Sequence, residues 1–458
     1  MRCLTFCKLS LTIGILLAAG GSVSAQTPPP RPQAVRQEPS RPEALPTDTM
    51  PATVRAADGS PAAEPVAPQP VDEVGMTLAD CEFMAQTGNP ALREASAKVG
   101  VAQGNAVQVG MLPNPTFITS SPQWTGSISQ YNWILGQDFI TAHKLRLNRS
   151  VAYRAVEQAQ LEFTRTRYEV LTNVRKAFYT AAASQRRVEV LQELMGISGQ
   201  SRDVGQKLLQ AGETNRADAV QLEIEYERAN VAHANSQATL AAAYMQLAAA
   251  IGVPDMQITR LKFDFTQPLP DYELEAVRQG VVERNALAHI AAVEIQRTQF
   301  ALRRAYAEPW PNFNIQAGYQ YSVEAPLHDQ GFAQLTTSIP LYNRNQGGIR
   351  AARSDTARAT AALQRTENDL SQQTALTLGT YIAAGERAKV YQERILPKAQ
   401  EVFRVNRSLF EQGQTDFLRL LQAQRTLIEA DLGYVEAQEA RWTSAAEIAG
   451  LLQVEQFP

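Results

Sequence analysis

Between residues 143 and 209 the chain runs for 67 residues without a proline, and its apolar side chains recur at helical spacing throughout. One stripe reads Leu147, Val151, Ala155, Ala159, Phe163, Val170, Val174, Ala177, Ala181, Val188 and Leu191, in steps of three, four and seven. A second stripe, Leu161, Tyr168, Leu171, Phe178 and Ala182, runs beside it and gives such a helix neighbours on two sides. At about 1.5 Å per residue an unbroken helix of this length measures roughly 100 Å, far beyond the ~11–12 residues of an average helix. A compact domain has no use for such a rod; a wall does.

The rod ends at Gln210-Ala-Gly-Glu-Thr214, where Gly212 can take the left-handed conformation that closes a helix and Thr214 is placed to cap the next one. The returning helix, 215–251, is 37 residues long and covers little more than half of the rod. A 34-residue helix over 77–110 precedes the rod, and the two short lengths nearly sum to the long one. Two short helices laid end to end beside one long helix is the economical arrangement.

The chain also repeats itself. Leu78, Asn89, Pro113, Pro115 and Phe117 recur 196 residues later as Leu274, Asn285, Pro309, Pro311 and Phe313, and Gly212, Thr214 and Val253 return 201 residues later as Gly413, Thr415 and Val454. The second half has its own 67-residue rod, 345–411, flanked by helices over 272–306 and 415–452. Pro397 lies inside that rod and should bend it, because it lacks an N–H and its ring meets the preceding turn.

Between the first short helix and the rod of each half the period changes to two. Phe313, Ile315, Ala317, Tyr319, Tyr321 and Val323 alternate with Asn312, Asn314, Gln316, Gly318, Gln320 and Ser322, a strand with one greasy and one wet face. Ala333, Leu335, Thr337 and Ile339 continue as a returning strand; Tyr131, Trp133, Leu135, Gln137 and Phe139 alternate likewise in the first half, after a weaker strand near Phe117. Each half thus donates one hairpin. Strands with outward aromatics suit an outer-membrane barrel, but four cannot close one when the smallest have ~8, so copies must associate. The expected fold is mainly α with a β membrane part: internally duplicated long-helix walls, plus a β-barrel that several copies complete together with four strands per chain.

The start of the chain names a compartment. Arg2 and Lys8 precede an apolar run, 9–19, and Val23-Ser24-Ala25 offers small residues for signal peptidase, so cleavage is expected between Ala25 and Gln26. Cys3 and Cys7 leave with the signal, no lipid-acceptor cysteine follows it, and Cys81 alone cannot make an internal disulfide. Residues 26–75 carry twelve prolines and no aromatic residue, a Pro-rich disordered leader. The expected divisions are 1–25 signal peptide, 26–75 leader, 76–253 first repeat (helix, β-hairpin, long helix, helix), 254–271 connector and 272–458 second repeat.

A formal net charge of -3 argues against a nucleic-acid partner, whose phosphates demand a basic face. His143, His233, His289 and His328 sit in separate segments without paired-ligand spacing, so no metal site is expected. There is no Gly-rich phosphate loop and no nucleophile elbow; neither a catalytic constellation nor a cofactor site is legible. A periplasmic adaptor, which also carries a long helical hairpin, is the rival from another class, but it would follow one hairpin with compact β-domains and lack the duplication.

Thr77-Leu-Ala-Asp80, Gly88-Asn-Pro-Ala-Leu92, Gly110-Met-Leu-Pro-Asn-Pro115, the two Gly-x-Thr turns and the run Ala-Gln-Arg-Thr-Leu over 423–427 come, in this order, to resemble the TolC family of outer-membrane efflux channels over residues 77–454. The 110–115 segment and the unlipidated start are most similar to its CzcC-type branch, which serves heavy-metal cation pumps; ducts for drugs or solvents and for type I protein secretion are the alternatives within the family. The resemblance implies a homotrimer in outer-membrane lipid, its β-barrel completed by trimerisation with four strands per chain and its duplicated long helices forming an α-barrel, the periplasmic tunnel. It also implies a periplasmic adaptor (membrane fusion protein), an inner-membrane RND-type pump, and no enzymatic activity in the duct itself. It places adaptor contacts at the turns, Gly212 with Thr214 and Gly413 with Thr415, and a constriction at Leu418, Arg419 and Gln422. Well-studied members carry Asp at two of those three positions, where this chain has none, although Asp218 and Asp416 are near in sequence.

Overall fold

The computed structural model describes residues 75–123, 130–212, 214–322, 329–412, 414, 415, 417–455 and 457. The expected signal peptide with Ala25 and Gln26, the leader as far as residue 74, and Val323, His328, Gly413 and Asp416 lie outside the described residues.

The first half builds helices α1 (Leu78–Gly88) and α2 (Pro90–Gln108), strands β1 (Thr116–Gln123) and β2 (Gln130–Phe139), the rod α3 (Lys144–Gln210, 67 residues) and α4 (Arg216–Ile251). The second half repeats the order as α5 (Leu274–Arg284), α6 (Ala286–Ala307), β3 (Phe313–Ser322), β4 (Gln330–Thr337), α7 (Gln346–Val390), a π turn (Tyr391–Ile395), α8 (Leu396–Glu411) and α9 (Phe417–Leu452). Rod α3 packs against α2 and α4 on one side and α6 and α9 on the other, the two-sided neighbourhood that its paired stripes imply.

The segments expected as single helices over 77–110 and 272–306 are each broken once, and the break is an asparagine with two tasks. Asn89 ends α1 and caps α2, its side chain accepting from Ala91 N at 2.9 Å, with Pro90 next in the first helical turn, where a missing N–H costs nothing. Its amide nitrogen donates to the carbonyls of Ala250 and Ile251, at the end of α4, at 3.0 and 3.2 Å. Asn285 does the same in the second half, accepting from Leu287 N at 3.0 Å and donating to Leu451 O at 3.0 Å. These amides satisfy carbonyls that a helix C-terminus leaves orphaned, and they fasten each short helix end to end with the next. Alanine at Asn89 loses three such bonds and alanine at Asn285 two.

The α pattern of the second rod is interrupted just before Pro397, which has no N–H to continue it, by the π turn at 391–395. There the Tyr391 ring lies over Gly433 of α9, so closely that a Cβ on that glycine would sit 2.6 Å from it. The core surrounds the middle of α3, the second half of α7 and the last third of α9. Trp442, Tyr179, Phe178 and Phe263 interlock, with Phe263 to Trp442 centroids 4.8 Å apart and Tyr179 to Trp442 5.0 Å apart. Phe263 arrives on the segment joining the halves, which Met76 meets in a parallel bridge at Leu261. Toward both ends of the rods, burial gives way to half-exposed side chains.

Candidate functional site

The four strands form one antiparallel sheet in the order β1-β2-β3-β4, with β2 and β3 paired over ten residues from Gln130↔Ser322 to Phe139↔Phe313. The two hairpins are therefore joined into one ribbon, whose outer strands β1 and β4 have no partner on their far sides among the described residues. The apolar face is the exposed one. Tyr131, Trp133, Leu135, Ile315, Tyr319, Tyr321 and Leu335 each leave more than 40% of their surface open. The half-buried face carries Asn132, Asn314, Gln316 and Gln320. A soluble sheet is greasy inside; this one is reversed, as a lipid-facing barrel wall with a wet lumen requires. Trp133 and Tyr319, directly paired, stack outward with centroids 6.4 Å apart. From the Tyr131↔Tyr321 row to the Phe139↔Phe313 row is eight steps, roughly 26 Å along the strand at ~3.3 Å each, and with barrel tilt this fills most of an apolar band of about 25 Å. No described helix is long and apolar enough to cross a membrane.

The strands reach the rods through residues in the left-handed region, Ala142 and His143 before α3 and Asn345 before α7, the same junction in each half. Lys144, almost fully buried, secures the first junction by donating to Trp310 O at 2.5 Å and Asn312 Oδ1 at 2.9 Å. Desolvation holds its ammonium below the usual lysine range.

At the far end lie the two helical turns. Gly212 has φ +76°, and its N–H donates to Leu209 O at 3.1 Å, closing α3 as expected. The cap of α4 is Asn215 and not Thr214: Asn215 Oδ1 accepts from Asp218 N at 2.8 Å, while the Thr214 hydroxyl donates to Asp218 Oδ2 at 3.3 Å. Both residue types cap, and the turn geometry selects the later one. Thr415 is half-buried in the second turn.

Leu418, Arg419 and Gln422 share the exposed face of α9, with Leu418 60% open, while Leu420, Leu421, Ala423 and Gln424 turn inward. Leu421 packs on Leu222 of α4 and Phe410 of α8. Leu222 in turn closes over Gly205 of α3, where a Cβ would meet it at 2.2 Å. Gln424 donates to Ser198 Oγ at 2.9 Å in a buried contact, and Arg425 pairs with Glu225 of α4. Glu225, only 12% exposed, also accepts from Arg228 at 3.0 Å. The inward side of α9 at Leu421 and Gln424, and Arg425 one turn beyond Gln422 on the triplet's own side, are thus tied to the other half. Sequence reasoning missed this tie, although Glu225 and Arg425 stand 200 residues apart, within one residue of the duplication offset.

Further along the α3–α9 seam, Arg187 faces Glu439 at 3.7 Å and Lys176 pairs with Glu447. Burial is the main cause that raises the Asp431 and Glu439 carboxyls; Arg186 and Arg187, respectively, oppose it, and Glu193 and Glu436 add to it. A carboxyl raised in the native state contributes stability that is complete below its unfolded pKa and is lost as pH rises through the native one. The seam is expected to tighten as pH falls from neutral toward the carboxylate range, and Asp431→Asn to remove part of that gain. Hydrogen exchange of α9 amides measures it; stronger protection at the higher pH would contradict the assignment.

Cys81 is fully buried, and burial first, with Asp80 and Glu82 adding to it, pushes its thiol up to about 12, out of range for a thiolate ligand. Among the described residues no group of three His, Cys, Asp or Glu side chains could hold a metal ion.

The sequence model of the family described as Outer membrane efflux protein matches residues 84–253 and 279–452. The cobalt-zinc-cadmium resistance protein CzcC of Cupriavidus metallidurans is 22% identical over 82% of this chain and 90% of its own. The nickel-cobalt-cadmium resistance protein NccC of Alcaligenes xylosoxydans xylosoxydans is 25% identical over 79% of this chain and 82% of its own. Among solved structures, CusC, described with transmembrane channel formation, superposes with a TM-score of 0.70 at 16% identity over 82% of this chain and 91% of that one.

Proposed function

The chain belongs to the outer membrane efflux protein family and is an efflux channel of the outer membrane, and from that premise we propose that its cargo is divalent heavy-metal cations. It works as a homotrimer whose twelve strands close one barrel and whose helices form the periplasmic tunnel. An inner-membrane RND-type pump supplies the cargo through a periplasmic adaptor. The family is one of ducts, so the work is done elsewhere. The observation that supports the cargo is the pair of relatives named for cobalt, zinc, cadmium and nickel resistance, each matched over more than four fifths of its length.

The adaptor docks on the turns, Gly212 with Thr214 and Gly413 with Thr415, and the passage narrows at Leu418, Arg419 and Gln422. A strain lacking this channel, and expressing a cognate pump and adaptor, tests both statements. The wild-type gene should restore growth in zinc, cobalt or cadmium. Thr214→Glu or Thr415→Glu should lose most of that rescue while the trimer persists in outer membranes. Rescue of dye or detergent exclusion without metal resistance would reassign the cargo, and full rescue by the turn variants would return those threonines to local turn chemistry.

A further inference from the structure

The helix ends next to the sheet, the start of α3, the end of α6 and the start of α7, are strongly basic. Residues 138–158, 297–312 and 339–358 hold eleven Lys and Arg against four Asp and Glu, in a chain whose overall balance is -3. Six of these cations are exposed arginines with no carboxylate partner among the described residues: Arg146, Arg149, Arg303, Arg344, Arg350 and Arg353. Arg149 and Arg353 rest on the rings of Tyr153 and Tyr306 and bond their hydroxyls, and Arg303 lies over Phe300. Arg146, Arg344 and Arg350 have no side-chain contact of this kind.

Internal stability does not explain them. Arg146 and Arg350 lie in the opening turns of α3 and α7, where the helix dipole disfavours cations, and neither helix has an acidic residue in its first turn. Neighbouring copies do not supply the missing charge either. Of the four carboxylates at this level, Glu157, Glu308 and Asp355 already hold Arg154, Arg304 and Arg358, and Asp138 accepts from Asn314. Identical copies bring the same surplus. At the same level Trp310 and Tyr342 are 66% and 93% exposed, an aromatic pair suited to a lipid–water boundary.

We propose that this collar binds the anionic phospholipid headgroups of the periplasm-facing leaflet and so fixes the depth of the channel in its membrane. The inference rests on the barrel reading of the sheet. The arginines stand within two helical turns, roughly 10 Å, of the strand ends, about one Debye length of ~8 Å at physiological salt. Their planar guanidinium forks match phosphate oxygens, and the two aromatic residues enter between the headgroups.

The purified trimer in nanodiscs of phosphatidylethanolamine, with and without phosphatidylglycerol as one lipid in five, provides the test, retained lipids being counted by native mass spectrometry. Wild type should enrich phosphatidylglycerol above its bulk share and melt at a higher temperature in its presence. R146Q/R344Q/R350Q, which removes no side-chain bond, should cut the enrichment about tenfold or more, and the matching lysine variant should keep most of it. Retention in the bulk ratio by wild type, or unchanged enrichment in the triple glutamine variant, overturns the proposal. So does a change of ion selectivity in planar bilayers with lipid retention unaltered, which would put these arginines in the lumen. Failure to enter either bilayer would sink the barrel itself and the collar with it, and is told apart from loss of lipid preference by the absence of inserted protein.

Discussion

Arg175→Ala should destabilise the folded chain by about 3–5 kcal/mol, the range for breaking a buried, hydrogen-bonded ion pair, and should deplete the protein from outer membranes. Arg175 sits at the middle of α3 with no exposed surface. Its Nε donates to Glu82 of α1 at 2.5 Å, and its terminal nitrogens reach the carbonyls of Val454 and Glu455 at 3.3 and 2.8 Å. The Phe457 ring lies 5.1 Å from the guanidinium carbon. One cation therefore holds the first helix and the end of the chain to the rod. Glu82→Gln should cost less, because the two carbonyls and the ring remain. Urea denaturation followed by α-helical circular dichroism measures the loss, and equal midpoints for wild type and Arg175→Ala would refute this role.

The second large effect belongs to the turn-proximal face of α9. Leu418→Ala and Gln422→Ala are expected to raise single-channel conductance about twofold or more, and Arg419→Asp to shift selectivity toward cations, since at the proposed constriction of the proposed trimer a ring of three charges would set the local potential. The Glu225–Arg425 tie beside the triplet gives a second handle. Glu225→Gln frees Arg425 and should raise conductance without touching the triplet. Arg425 is nearly half exposed, so the pair holds a position more than it stabilises the fold. Planar bilayer recordings decide this. If the three triplet variants and Glu225→Gln all match wild type, the narrow point lies elsewhere.

The rods, the hairpins and the duplication were legible because each rests on a period written locally in the chain. Long-range donors were not. Asn89 and Asn285 stood out as repeated residues, yet nothing near them in sequence tells that their amides reach Ala250 and Leu451, more than 160 residues away. Arg175 is a charge lying between the stripe residues Val174 and Ala177, and a periodicity argument passes over it; its burial exists only once α1 and the chain end have folded against α3. An irregularity at Pro397 was legible from a missing N–H, whereas its form, a π turn with Tyr391 seated on Gly433, depended on the neighbouring helix. Thr214 and Asn215 could each cap α4, and only the backbone path chose between them.

The ribbon β1-β2-β3-β4 is unfinished in each chain, with two free edges and its greasy face outward. Alleles of such a gene cannot behave independently. A chain defective in its tunnel but sound in its strands would still be built into shared barrels, and at equal expression only roughly one assembly in eight would contain three intact copies. Defects in the helices should therefore be dominant over the wild-type allele, whereas defects that unmake the strands, and so exclude the chain from assembly, should be recessive.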